Sequence, residues 1–96
     1  MLILVTYDVS FDDRLGAKRL RKVSKVCQSY GIRVQNSVFE CVVNQTEYTM
    51  LKIKLLEEID TSKDSIRIYH LGNNYQNKVE HFGAKISLQV EEPLIF

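Results

Sequence analysis

Proline occurs once in the 96 residues, at Pro93, and glycine four times. No Pro/Gly/Ser-rich linker, repeat or low-complexity tract interrupts the chain, which therefore reads as one domain over 1–96. The longest apolar run, Met1 to Val5, is far too short to span a bilayer. Nor does it have the basic segment and small-residue cleavage site of a secretory leader. Cysteine appears only at Cys27 and Cys41, too few for a disulfide framework and without the partner spacing of a zinc site. Two thiols on faces that read as buried suit a reducing compartment, so a cytoplasmic location is expected. Glycine-rich phosphate loops of the G-x-G-x-x-G or Walker A kind are missing. The two histidines, His70 and His81, stand alone and read as structural.

One absence is local. Between Arg14 and Arg33 there are seven basic residues, Arg14, Lys18, Arg19, Arg21, Lys22, Lys25 and Arg33, and no acid. The net charge of +1 says little about partners, but this segregation says more. Like charges four apart on a helix repel by tenths of a kcal/mol each. An uncompensated row makes sense where phosphates neutralise it, so nucleic acid is the expected partner; a solvated face is the plainer alternative.

What is present follows two periods. "LILVTYD", 2–8, is apolar on both faces and reads as a central strand that ends in an acid. Ser10 and Asp13 have capping-box spacing ahead of a helix over 14–30, with Gly31 as its C-cap. Gly16, Leu20, Val23, Cys27 and Tyr30 form its apolar stripe; Arg14, Lys18, Arg21 and Lys25 lie opposite, with Lys22 beside them. "IRVQNSVFECVV" is two strands broken near Gln35 and Asn36, with Ser37, Phe39, Cys41 and Val43 on one face. Asn44 and Glu47 cap a second helix over 45–59, whose core stripe is Tyr48, Leu51, Leu55 and Ile59. "SIRIYHL" is another strand, and a short one is expected at 86–90 in a C-terminal extension over 81–96.

The order β-α-β-β-α-β predicts an α+β, ferredoxin-like fold: a four-stranded antiparallel sheet with both helices on one face. The other face then has nothing to cover it, which predicts a homodimer. The apolar tip, with Leu94, Ile95 and Phe96, is expected at the dimer interface as a strand added to the partner's sheet edge.

Asp8 poses the sharpest question. It is either a cap or loop acceptor, or a ligand for a divalent cation at the sheet edge. Ser10, Asp12 and Asp13 already serve the start of the first helix, which weakens the capping reading. Magnesium needs only one or two carboxylates, and a twofold dimer would bring two Asp8 side chains to one place.

"LVTYDVS", "RLRKVSKVCQSYGIRVQNSVFEC" and "DSIRIYHLG", together with the terminal "PLIF", resemble the Cas2 family of small CRISPR-associated nucleases over nearly the whole chain. The resemblance implies a homodimeric, magnesium-dependent endonuclease, with manganese as the alternative ion, whose metal ligand matches Asp8. It places Arg14, Arg33, Ser37 and Phe39 near the site, with Asp8, Arg33 and Ser37 as the expected catalytic set. Arg14, Lys18, Arg21, Lys22, Lys25 and Arg33 are the expected nucleic-acid contacts. It further implies work in spacer acquisition alongside the integrase subunit of the adaptation complex, on duplex DNA or single-stranded RNA. A non-catalytic DNA-binding scaffold is the competing function. An RNA-recognition module shares the element order, but "NSVFECVV" stands where that module needs its Lys/Arg-Gly-aromatic run. A small-ligand regulatory domain would not need the basic stripe.

Overall fold

The apolar stretch at 2–8 lies inside a sheet, with a strand on each of its edges. In a computed structural model that describes residues 1–9 and 14–83 (Gln76 by its backbone only), β1, Leu2–Asp8, pairs antiparallel with two strands. On one side is β3, Val38–Val42, with Val5 opposite Phe39; on the other is β4, Ser65–Gly72, with Val5 opposite Ile68. β2, Gly31–Gln35, adds to β3, giving the order β2-β3-β1-β4. Helix α1, Gly16–Gln28, joins β1 to β2, and α2, Gln45–Glu58, joins β3 to β4. A single 3-10 turn, Tyr75–Asn77, follows β4. The βαββαβ expectation is met over these residues; the strand expected at 86–90 and the tip Leu94, Ile95 and Phe96 lie outside them.

Alternation along each strand decides which side chains the helices cover. Ile3, Val5 and Tyr7 of β1 and Phe39 and Cys41 of β3 are buried against Val23 and Cys27 of α1 and Leu51 and Leu55 of α2. Each such large apolar side chain contributes roughly 1.5–3 kcal/mol through removal from water. The periodicity thus located both helical stripes, with Leu20, Tyr30, Tyr48 and Ile59 packed around their rims. On the opposite sheet face Leu4, Thr6, Val38 and Val42 are half-buried and Tyr69 is 45 % exposed. The sequence-based argument for a dimer stands on this face.

The expected box at Asn44 and Glu47 is fully formed. Asn44 Oδ1 accepts from the Glu47 amide at 2.8 Å, and Glu47 Oε1 accepts from the Asn44 amide at 2.8 Å. The start of α1 departs from expectation. It begins at Gly16 with Leu15 as N-cap and no side-chain cap, while Ser10 and Asp13 lie outside the described residues. Gly31 also departs: Ser29 closes the helix, and Gly31 is already in β2 opposite Cys41. Its glycine serves close backbone approach rather than a helix stop. A Cβ there would overlap the carbonyl oxygen of Glu40 and lie 2.7 Å from the Cys41 Cα. Gly31→Ala should therefore lower stability by about 2 kcal/mol, as overpacking against fixed backbone does, read as a fall in the urea midpoint at unchanged slope.

Candidate active site

Asp8 lies at the C-terminal end of β1, opposite Ser65 of β4, and its side chain is exposed. Strand alternation turns it to the uncovered sheet face, away from Tyr7. It does not cap α1, whose N-cap is Leu15. Its carboxylate has no hydrogen bond or ion pair among the described residues. It borders an open hollow of about 450 Å³ shared with Thr6, Ser37, Ser65, Arg67 and Tyr69. A second hollow of about 400 Å³ lies on its other side, against the α2–β4 turn at Thr61, Ser62 and Lys63.

Ser37 is held here because its carbonyl accepts from the Tyr7 amide at 2.9 Å, extending the β1–β3 ladder past Thr6 and Val38. Arg33 is not brought to Asp8 within one chain. It sits on β2, two strands from β1 and so about 10 Å across the sheet. Its guanidinium carbon is 5.7 Å from the ring centroid of Phe39. Phe39 is fully buried, so its face is core and no base can stack on it. Arg14, Lys18, Arg21, Lys22 and Lys25 are all exposed. Lys22 comes within 3.9 Å of Glu58; the other four make no ion pair among the described residues.

Sequence reasoning missed the group that fixes this strand end. Arg19, counted among the seven bases, turns inward to Asp64, with Nε 2.7 Å from Oδ2 and a second nitrogen 3.2 Å from Oδ1. The same Oδ2 accepts from the Tyr7 hydroxyl at 2.8 Å and the Asp60 amide at 3.1 Å. Burial, then the Asp64 carboxylate beside it, push the Tyr7 hydroxyl well above its ordinary pKa and keep it a donor. A clue was available: Tyr7 in an otherwise apolar core strand needs a buried acceptor.

Neither cysteine belongs to a site. Burial pushes Cys27 and Cys41 up to about 12, so both stay protonated and unreactive. His70 meets Tyr48 edge-on, ring centroids 5.0 Å apart, as a packing residue. His81 Nε2 lies 3.0 Å from the Gly83 carbonyl oxygen.

For a metal, the described residues of this hollow offer one carboxylate, Asp8, with hydroxyl oxygens beside it. No group of three or more His, Cys, Asp or Glu forms among the described residues. That all-oxygen set does not fit a closed zinc site; it fits a hard cation that keeps most of its waters, as magnesium does.

These features define a small βαββαβ protein with an open acid-bearing sheet face and a basic helix. Residues 1–79 match the model of the CRISPR associated protein Cas2 family, and the chain belongs to that family. It is 62 % identical over 96 residues to the CRISPR-associated endonuclease Cas2 of Halalkalibacterium halodurans, covering the whole of both chains. It is 56 % identical over 95 residues to the CRISPR-associated endoribonuclease Cas2 of Nitratidesulfovibrio vulgaris, covering 99 % of this chain and 93 % of that one. Among solved structures, Streptococcus pyogenes Cas2 superposes with a TM-score of 0.77 at 53 % identity, covering 86 % of this chain and all of the other. Among the described residues no helix is long and apolar enough to cross a membrane.

Asp64→Asn would remove a bidentate counter-charge from the partly buried Arg19. Stability should fall by about 3 kcal/mol, measured by urea denaturation, whereas Tyr7→Phe, losing one of several bonds to Asp64, should cost only about 1 kcal/mol.

Proposed function

We propose that the chain is a metal-dependent nuclease of a CRISPR system that hydrolyses phosphodiester bonds, with Asp8 as its metal ligand. The carrying observation is the state of Asp8: an exposed carboxylate at a strand end, without a partner among the described residues, on the uncovered face of the sheet. The names of the relatives, endonuclease and endoribonuclease, agree with this reading. The cation is magnesium, with manganese as its alternative, held by Asp8 and the Asp8 of a second copy. When bound, it supplies positive charge to a phosphoryl oxygen and lowers the pKa of an attacking water.

The chain's own residues bind and orient. Ser37, in the same hollow, donates its hydroxyl to the phosphate or to a water beside it. Arg33 and Arg14 steady the nucleic-acid backbone, and a homodimer closed over the uncovered sheet faces brings them nearer to the partner's Asp8. This assembly works in the cytoplasm with the integrase subunit of the adaptation machinery.

Asp8→Asn keeps size and removes charge. Divalent-dependent cleavage of labelled RNA or DNA should fall by about a hundredfold or more, and chelation of the wild type should do the same. Thermal stability should stay within about 0.5 kcal/mol of wild type, as for an exposed site. Full cleavage by the Asn variant would remove Asp8 from the mechanism.

A second role rests on a separate observation, the exposed bases Lys18, Arg21 and Lys25 along α1, which make no ion pair among the described residues. This row makes the dimer a DNA-binding scaffold whether or not it cuts. Replacing Lys18, Arg21 and Lys25 together with Gln should weaken duplex DNA binding about equally across sequences. The logarithmic salt slope should flatten by roughly one unit per lost contact. Unchanged affinity and slope would reduce the row to a solvated face.

A further inference from the structure

Among the described residues, Arg67 is the one cation lining the hollow that Asp8 shares with Ser37. The sheet register puts both on the same face: Asp8 stands opposite Ser65, and Arg67 stands opposite Thr6. They are therefore diagonal neighbours across the β1–β4 ladder, with Cβ atoms about 7–8 Å apart. Both are exposed, and neither forms an ion pair with the other or with any described residue. Opposite charges this close usually attract each other, yet here both remain open to the same hollow. Such a separated pair is complementary to a ligand that is itself dipolar, a cation next to a phosphate. Asp8 takes the first and Arg67 the second.

We propose that Arg67 is the residue that grips the phosphodiester group beside Asp8, a substrate-binding role assigned within the nuclease reading above. A planar guanidinium suits this role because its fork of donors matches two phosphate oxygens at once. The backbone beneath it is fixed, since Thr6 donates its hydroxyl to the Arg67 carbonyl at 3.3 Å. Tyr69, two residues along the same face and lining the same hollow, favours the charged form of the guanidinium. By contrast Arg33, the sequence-based choice for this role, lies on the far edge strand over Phe39.

The test reads binding without catalysis. A short fluorescein-labelled single-stranded RNA is titrated with the full-length dimer in chelator at several salt concentrations, using wild type, Arg67→Gln and Arg67→Lys. The Gln variant should bind roughly tenfold more weakly, with the salt slope reduced by about one phosphate contact. The Lys variant should keep the slope and recover part of the affinity, since it restores charge but not the fork. Unchanged affinity and slope in Arg67→Gln would overturn the assignment. So would a loss that appears only with dissociation to monomers in sedimentation, which would make Arg67 an interface residue. Because no divalent cation is present, these outcomes are independent of whether Asp8→Asn abolishes cleavage.

Discussion

Asp64 is the point on which the rest of the site depends. Its buried carboxylate receives donors from three places: the end of β1 through Tyr7, the first turn of α1 through Arg19, and the α2–β4 turn through Asp60. Those segments meet where Asp8 leaves the sheet. A carboxylate taken out of water is unfavourable unless its lone pairs are filled, and here Oδ2 alone accepts three bonds. The strain of burying charge is thus converted into a fixed position for the neighbouring residue. Asp8 is held at its strand end because Tyr7, one residue earlier and on the opposite face, is anchored. The two carboxylates divide the labour: the buried one holds geometry, and the exposed one meets solvent and ligand.

Charge is likewise divided by position rather than by amount. The seven bases between 14 and 33 look alike in the sequence, but the fold sorts them into three groups. Arg19 is spent inward on Asp64, Arg33 lies over an aromatic ring at the sheet edge, and the others line the exposed side of α1. A tally of positive charge would credit all seven to an anionic partner. The structure leaves five on the helix side, and Arg67, which the charge pattern never singled out, joins Asp8.

What the sequence revealed was whatever depends on periodicity. The two helical stripes, the alternation in β3, and the box at Asn44 and Glu47 are local patterns, and each was legible before the fold was known. Residues whose role comes from distant pairing were not. Gly31 follows a helix and so mimics a helix stop, but its reason is the carbonyl of Glu40 on the neighbouring strand. Asp64 looks like a turn residue among Asp, Thr, Ser and Lys until β4 carries it beneath β1. Arg67 shares a hollow with Asp8 only through the β1–β4 register, and Arg33 is separated from it only through the strand order.

The separation between Tyr7 and Asp64, 57 positions along the chain, also governs when the site can exist during synthesis. β1 emerges from the ribosome first, but its second neighbour, β4, follows only after both helices and the hairpin between β2 and β3. Until then one edge of β1 has no strand beside it, and Asp8 has no Ser65 opposite. Long-range pairings of this kind close late, because loop-closure entropy must be overcome before the contacts return anything. A nascent chain stalled inside α2 would present the acid, the bases and most of the core, and still lack both the strand and the carboxylate that hold Asp8 in place.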